Sequence, residues 1–374
     1  MSRIGIDARE LEGRPTGVGR YLRNLLTCWA KENSGDSFHL YSRSALEGYP
    51  FLSSSGLRLH HLSSRLMQSG FYWEQFVLPP HLKRDKIEIF FGPGYSLPLR
   101  LKCKGAVTLH DVSFEAHPEW FSPRERFRRR LLCRRAVRRA DVVFAVSNFT
   151  KEEIIRYYRV PEEKIKLTYN CLDSRFKPIV DAEQLESFRR RLNLTGRILL
   201  YTGAILNRRS IPEVIKAFGQ VVKKFPEATL VLVGKNRTYP WIDLPALVAS
   251  LELGNKVRLL GYVNDEDLVM FYNIAEIFIY LSSYEGFGLP PLEALACGTP
   301  VIVQDIPAVR EVLGDTVAML PRAEVPLIAE AVMELLDNER KRKEMVRRAA
   351  QLIRKFSCTA TARLTLEHLH KVLA

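Results

Sequence analysis

Two series of short apolar runs, separated by stretches long enough for a helix, constrain this sequence more than any other feature. The first series lies at 3–8, 37–41, 56–62, 88–91, 106–109, 142–146 and 164–169, and the second at 198–202, 229–233, 256–260, 277–281 and 301–303. Between the later runs, residues 211–225 and 265–275 carry apolar side chains at helical spacing. Such β-α alternation predicts parallel strands covered by helices, and 374 residues are more than one ordinary α/β core needs. The expectation is therefore two doubly wound, Rossmann-like domains facing across a cleft. A charged, solvent-facing helix over 181–191 follows the junction, which is set near Asp173 and Lys177. The divisions are 1–174, 175–356 and a C-terminal helix at 357–374 that can return to the N-terminal domain, since the helical pattern over 339–372 breaks near Ser357.

The segment Glu285-Gly286-Phe287-Gly288-Leu289-Pro290-Pro291-Leu292-Glu293 reads as a tight loop entering a helix that Gly298 stops. Pro290 suits the first helical position, and Glu293 then falls in the first turn. The amides of Phe287, Gly288 and Leu289 would lie at a helix N-terminus, where an anion is favoured, with an acid on either side. A first-turn acid that merely complements the helix dipole explains Glu293 as well. Residues 298–303 lead on into a buried strand, so the segment sits where α/β sheets bind ligands.

Composition leaves the partner open but narrows the class. With 47% hydrophobic and 26% charged residues the chain reads as soluble and globular, without a signal peptide and without an apolar run that could span a bilayer. A formal net charge of +14 favours an anionic partner. Cys28, Cys103, Cys133, Cys171, Cys297 and Cys358 show no paired spacing and read as small hydrophobes in a reducing compartment, neither a disulfide frame nor a zinc site.

Other motifs carry chemistry at strand ends. Thr16-Gly17-Val18-Gly19-Arg20-Tyr21-Leu22 resembles half of a dinucleotide fingerprint but has Leu22 where the third glycine belongs, so a phosphate- or sugar-facing glycine turn and a plain tight turn both fit it. Gly203-Ala204-Ile205-Leu206-Asn207-Arg208-Arg209-Ser210 is the equivalent loop of the second series, and two guanidiniums there can grip a diphosphate. His110 ends a strand at the mouth of the first domain. Asp265-Glu266-Asp267 reads as helix capping in preference to metal binding.

Taken together, Gly17-Val18-Gly19, His110-Asp111, residues 146–149, Gly203 with Arg208-Arg209, residues 232–235, Gly261-Tyr262-Val263 and the E-x7-E segment resemble the retaining GT-B glycosyltransferases that include bacterial mannosyltransferases. The resemblance implies no cofactor and no metal, with a nucleotide sugar, GDP-mannose as the best guess, bound on the C-terminal domain. It further implies that Glu293 holds the ribose hydroxyls, Glu285 the donor sugar, and Arg208 and Arg209 the diphosphate, assisted by the amides at Phe287, Gly288 and Leu289. Gly17, Gly19, Gly203 and Gly286 would line the donor site, Lys235 and Val263 would lie near the base, and His110 would orient the sugar. Ala204 and Arg209 depart from the arginine and lysine that many relatives carry, and Cys171 from a glycine.

The acceptor implied is a glycan or lipid-linked saccharide in surface polysaccharide assembly, with no nucleic acid. A nucleotide-sugar epimerase, a phosphorylase and a non-catalytic nucleotide-sugar sensor stay open as alternatives. Between 124 and 139, nine arginines form a basic helix, either solvated or docked on an anionic membrane from the cytoplasmic side. No clean apolar face accompanies them, so the attachment expected is peripheral.

Overall fold

The first series of runs forms one parallel seven-stranded sheet in a computed structural model that describes residues 2–15, 17–32, 35–63 and 69–374. Thr16 of the first glycine loop lies outside the described residues. The strands are β1 (Arg3–Asp7), β2 (Ser37–Ser42), β3 (Leu57–His61), β4 (Ile89–Gly92), β5 (Lys104–Leu109), β6 (Val142–Ala145) and β7 (Ile165–Leu167). Their order is 3-2-1-4-5-6-7, so the winding reverses between β1 and β4. In register, Ile6 of β1 lies opposite Leu40 on one side and Phe91 on the other. All three side chains are buried, as expected where helices cover both faces.

The second series forms a separate six-stranded parallel sheet: β8 (Arg197–Thr202), β9 (Ala228–Val233), β10 (Val257–Leu260), β11 (Ile277–Tyr280), β12 (Val301–Gln304) and β13 (Ala318–Leu320). Its order is 10-9-8-11-12-13, with the reversal between β8 and β11. The edge strand β13 was not among the expected runs, because three residues are too few to show a period.

By its contacts the chain divides into two units of similar size. One holds Met1–Pro118, Pro123–Cys171 and Phe356–Ala374, and the other Glu119–Ser122 and Leu172–Lys355. The last helix, Cys358–Leu373, thus belongs to the first unit. It packs on the helix Gly17–Trp29, where Ala362, Leu366 and Leu369 join a core with Trp29, Phe38 and Phe91. Trp29 Nε1 donates to the Ala362 carbonyl at 2.9 Å, and the Thr361 hydroxyl to the Tyr169 carbonyl at 3.0 Å. Each buried leucine is worth roughly 1.5–3 kcal/mol, so this contact decides where the helix lies.

Two sequence readings need correction. Cys171 and Cys358 are not unpaired hydrophobes: they form a disulfide with Cα atoms 4.7 Å apart and 187 residues between them in sequence. Linear spacing carried no trace of it, because the pair meets only when the last helix returns beside the end of the first sheet, and with it goes the cysteine argument for a reducing compartment. The helix after the E-x7-E loop runs Leu289–Ala296, so Pro290 takes its second position and Glu293 lies beyond its first turn. The dipole explanation of Glu293 therefore fails.

Candidate active site

At the reversal of the second sheet, the loops after β8 and β11 are stitched by the Ser283 amide donating to the Arg208 carbonyl at 2.8 Å. Open α/β sheets bind ligands at this position. The first loop carries Arg208 and Arg209 in a 3-10 turn, and left-handed Ser210, at φ 49°, turns the chain into the helix Ile211–Lys224. Arg209 is 9% exposed. Its Nη1 donates to the Ala204 carbonyl at 2.8 Å and to the Tyr201 hydroxyl at 3.3 Å, its Nε meets Glu285 Oε1 at 3.2 Å, and its guanidinium lies 4.9 Å from the Tyr280 ring centre. Arg208 Nε lies 3.7 Å from the same carboxylate oxygen, and its guanidinium 6.0 Å from the ring centre of Trp120.

Glu285 is 8% exposed and also accepts from the hydroxyls of Tyr280 at 3.0 Å and Ser282 at 2.8 Å, both on Oε1. Burial alone would push its pKa up, but Arg209, Arg208 and the two hydroxyls hold it below the ordinary carboxyl value. Burial likewise opposes the charge of Arg209, and the surrounding Tyr201, Tyr280 and Glu285 reverse that and hold its pKa above the ordinary value. Two cations and one anion thus sit close together with little exposure to water, a cluster of net positive charge. Such a site favours a group on which negative charge grows.

Of the other residues expected at this site, Gly203 stands against Arg209. A Cβ on it would come 2.7 Å from Nη1, and its φ of +121° disfavours any side chain. Gly286, Phe287 and Gly288 are buried, and Gly288 caps the helix at φ 95° with half-buried Leu289 following. Glu293 is 4% exposed and accepts from the Tyr272 hydroxyl at 3.0 Å, which also meets Thr202 Oγ1 at 2.7 Å. Lys235 is exposed just past β9, its carbonyl accepting from the Ile205 amide at 3.0 Å, and half-buried Val263 follows β10.

The remaining three candidates lie in the first unit. His110 directly follows β5, its Nε2 2.8 Å from the Pro93 carbonyl, with Tyr21 edge-on to its ring. Burial holds its pKa below the ordinary histidine value, against the opposing pull of that hydrogen bond and of Asp111. A neutral ring that donates from Nε2 keeps Nδ1 as an acceptor. Gly17 is exposed with open space where a side chain would stand, whereas a Cβ on buried Gly19 would fall 2.2 Å from the Glu10 carbonyl oxygen. Gly19 is thus required by packing, whatever else it does.

Asp265 and Asp267 are each taken up by an arginine, Arg175 at 3.1 Å and Arg191 at 2.5 Å. The cap of their helix is Asn264, whose Oδ1 accepts from the Asp267 amide at 2.7 Å, one residue before the acids expected to provide it. Among the described residues, the metal-capable grouping is His39, His60 and Asp85. It is a hydrogen-bonded row, Ser37 Oγ to His39 Nε2 at 3.1 Å and His39 Nδ1 to His60 Nε2 at 2.9 Å, with Asp85 3.5 Å from His60 Nδ1.

Sequence reasoning missed the side chains that hold the site in shape. Tyr201, Tyr280 and Ser282 fix the arginine and the carboxylate, while Trp120 reaches this unit from residues 119–122 and meets the Tyr284 ring edge-on at 6.3 Å. Tyr201 and Tyr280 were visible only as apolar members of strand runs. Nothing in the sequence near Trp120 points to the second unit.

Two Rossmann-like domains, each with a parallel sheet that reverses at its centre, are the architecture of the GT-B glycosyltransferases. Residues 183–352 match the glycosyl transferases group 1 family and residues 15–176 match glycosyltransferase family 4. The chain is 31% identical over 284 residues to the O-antigen chain mannosyltransferase B of Escherichia coli, covering 74% of this chain and 72% of that protein. Among solved structures, sucrose-phosphate synthase of Thermosynechococcus elongatus superposes at a TM-score of 0.79 with 20% identity, covering 100% of this chain and 99% of the other. HepE of Anabaena, in complex with UDP-glucose, superposes at 0.79 with 16% identity over 99% and 100%. The chain belongs to the group 1 glycosyltransferases.

Proposed function

We propose that this enzyme transfers a sugar with retention from a nucleotide donor, GDP-mannose as the best reading, to a glycan or lipid-linked acceptor in surface polysaccharide assembly. The observation that carries the reading is the pair of arginines around Glu285 at the reversal of the second sheet, Arg209 buried and Arg208 half-buried. Similarity to an O-antigen mannosyltransferase supports the choice of mannose. Breaking the anomeric bond puts negative charge on the departing diphosphate, and Arg208 and Arg209 are already desolvated and oriented to take it. Three donors converge on Glu285 Oε1, so Oε2 is the atom that a donor-sugar hydroxyl can engage. Glu293 would hold the ribose hydroxyls, and His110 Nδ1 a hydroxyl of the sugar.

Charge neutralisation by arginine makes a metal unnecessary. Transfer from GDP-mannose, followed by mass spectrometry of the products with sugar and lipid-linked acceptors, is expected to proceed unchanged in EDTA. A strict divalent-ion requirement, or turnover of UDP, ADP or TDP sugars but not GDP-mannose, would sink that part of the reading. Donor binding without a product from any acceptor would favour a sensor.

The basic helix Pro123–Arg139 is assigned to an anionic membrane surface. Arg124, Arg128, Arg135 and Arg138 are exposed, whereas Arg130 and Arg134 pair with buried Glu115 and Arg139 with the carbonyls of Leu101 and Cys103. Phe127, 69% exposed, adds one apolar contact. Each basic side chain at such a surface contributes about 1 kcal/mol. Co-sedimentation with anionic vesicles should therefore be strong at low salt and lost at high salt, and equal failure with anionic and neutral vesicles at low salt would return the helix to solvent.

A further inference from the structure

The edge of the first sheet carries two histidines that sugar transfer does not use. The strand β3 is the end strand of its sheet, and Leu57 and His60 in it are half-buried while Arg58, Leu59 and His61 are exposed. A strand with so little apolar contact and one open edge is weakly held. In register His60 lies opposite Tyr41 of β2, diagonal to His39, which is 4% exposed. Asp85, which ends the helix Leu78–Arg84, faces His60. The ring nitrogens are sorted into an inner and an outer pair. His39 Nδ1 and His60 Nε2 meet at 2.9 Å, with ring centres 5.0 Å apart and planes 11° from parallel. The outer nitrogens have oxygen neighbours, Ser37 Oγ at 3.1 Å from His39 Nε2 and Asp85 Oδ2 at 3.5 Å from His60 Nδ1. The Tyr41 hydroxyl donates to that same Asp85 oxygen at 2.8 Å and Arg84 Nε to the other at 2.9 Å, so the carboxylate is fixed in place.

We propose that His39 Nδ1 and His60 Nε2 bind one zinc ion between them, an exchangeable clamp that ties the edge strand to β2 and takes no part in sugar transfer. Two imidazole nitrogens on one tetrahedral zinc, each at about 2.0–2.1 Å, stand roughly 3.3 Å apart, so the pair has to open by only a few tenths of an ångström. Histidines on a metal almost always donate their second ring N–H to a carboxylate or another oxygen, and Asp85 and Ser37 supply both partners. Without an ion, one inner nitrogen donates to the other. Binding asks that this proton move to the outer nitrogen of the same ring, and none has to leave the protein. Water fills the rest of the coordination shell, which keeps the ion exchangeable. Burial first, then His60 and Arg58, push the pKa of His39 down to about 4, and for His60 burial with Arg84, His81 and Arg58 outweighs Asp85. Both rings are therefore neutral at pH 7 and keep a lone pair to give. Arg58 and Arg84 also oppose a dication, but both are exposed, and Arg84 is turned to Asp85. Imidazole donors select zinc, copper and nickel over magnesium and calcium. The strand β2 lies three strand spacings from β5, about 14 Å, so the clamp is remote from His110.

The test is calorimetric titration of the metal-free full chain, carrying no added histidine tag, with zinc chloride. One saturable site is expected. His60→Ala should weaken it at least tenfold and Asp85→Asn about tenfold, the usual cost of losing an outer partner. Zinc should raise the melting temperature of the wild type and slow amide exchange over 57–61, and do neither in His60→Ala. His60 is half-buried on an edge strand, so its variant should melt with the wild type when both are metal-free; if it melts lower, the affinity of Asp85→Asn decides. No saturable zinc binding, the same affinity in wild type and both variants, or displacement of zinc by an equal concentration of magnesium overturns the proposal. Transfer should run at the same rate with and without zinc, and a rate that falls when zinc is stripped from the wild type but not from His60→Ala overturns the claim that the clamp stands apart from the reaction.

Discussion

Arg209→Ala is expected to lower the rate of sugar transfer on the order of 10²-fold, the effect of removing one preorganised donor from a developing anion. The same change destabilises the second unit, because Glu285 stays buried with a weaker counter-charge: breaking one side of a buried pair costs about 3–5 kcal/mol. The two effects separate in Arg209→Met with Glu285→Gln, where the buried carboxylate charge is gone and half-buried Arg208 is the one charge left of the three. Stability in urea should largely return in this double variant, while transfer stays at the level of Arg209→Ala or below. Recovery of transfer along with stability would mean that the arginine acts only through folding. Acid sensitivity gives a second readout. The pKa of Glu285 is depressed in the folded protein, so its contribution to stability is full above the ordinary value of 4.5 and is lost as pH falls through the folded value. Arg209→Ala lifts that folded value, so the acid transition should begin at a higher pH. An unmoved transition would mean that the pair does not form in solution.

This site was partly legible because its residues are consecutive. Arg208 and Arg209 follow one strand, and Glu285 and Glu293 lie in one loop and helix after another, so spacing alone was enough to set each pair beyond the carboxyl end of a strand. What joins them is long-range. The hydrogen bonds of Tyr280 and Ser282 to Glu285, of Tyr201 to Arg209 and of Tyr272 to Glu293 depend on which strands are neighbours, and a strand's apolar pattern says that a tyrosine is buried without saying what its hydroxyl meets. The strand series was legible for the same local reason, since six-residue runs such as Ala228–Val233 are apolar but for Thr229, while Ala318–Leu320 was too short to read. The acids at Asp265 and Asp267 show the converse error. They read as caps from position alone, yet Asn264 caps, and they pair with arginines 90 and 76 residues away in sequence.

Reducing the Cys171–Cys358 bond with a dithiol should lower the melting temperature by roughly 6–12 °C, from about 3 kcal/mol at 2–4 °C per kcal/mol for a domain of this size. The chain-entropy estimate for a cross-link across 187 residues is larger, about 5 kcal/mol, and a dithiol-sensitive shift at that upper end would mean that little native strain offsets it. The location explains the size of the effect. The chain leaves the first unit after Cys171 and re-enters it at Phe356, so docking the last helix closes a loop that contains nearly the whole second unit. Without the bond, that helix is held by Ala362, Leu366 and Leu369 and a few hydrogen bonds, and the loop-closure entropy works against it. Amide exchange should therefore accelerate over 358–373 before it does in β1 and β4, whose bonds lie in the middle of the sheet. Cys171→Ser and Cys358→Ser should each melt at the temperature of the reduced protein and no longer respond to dithiol. Equal melting of oxidised, reduced and serine forms would show that packing alone holds the last helix in place.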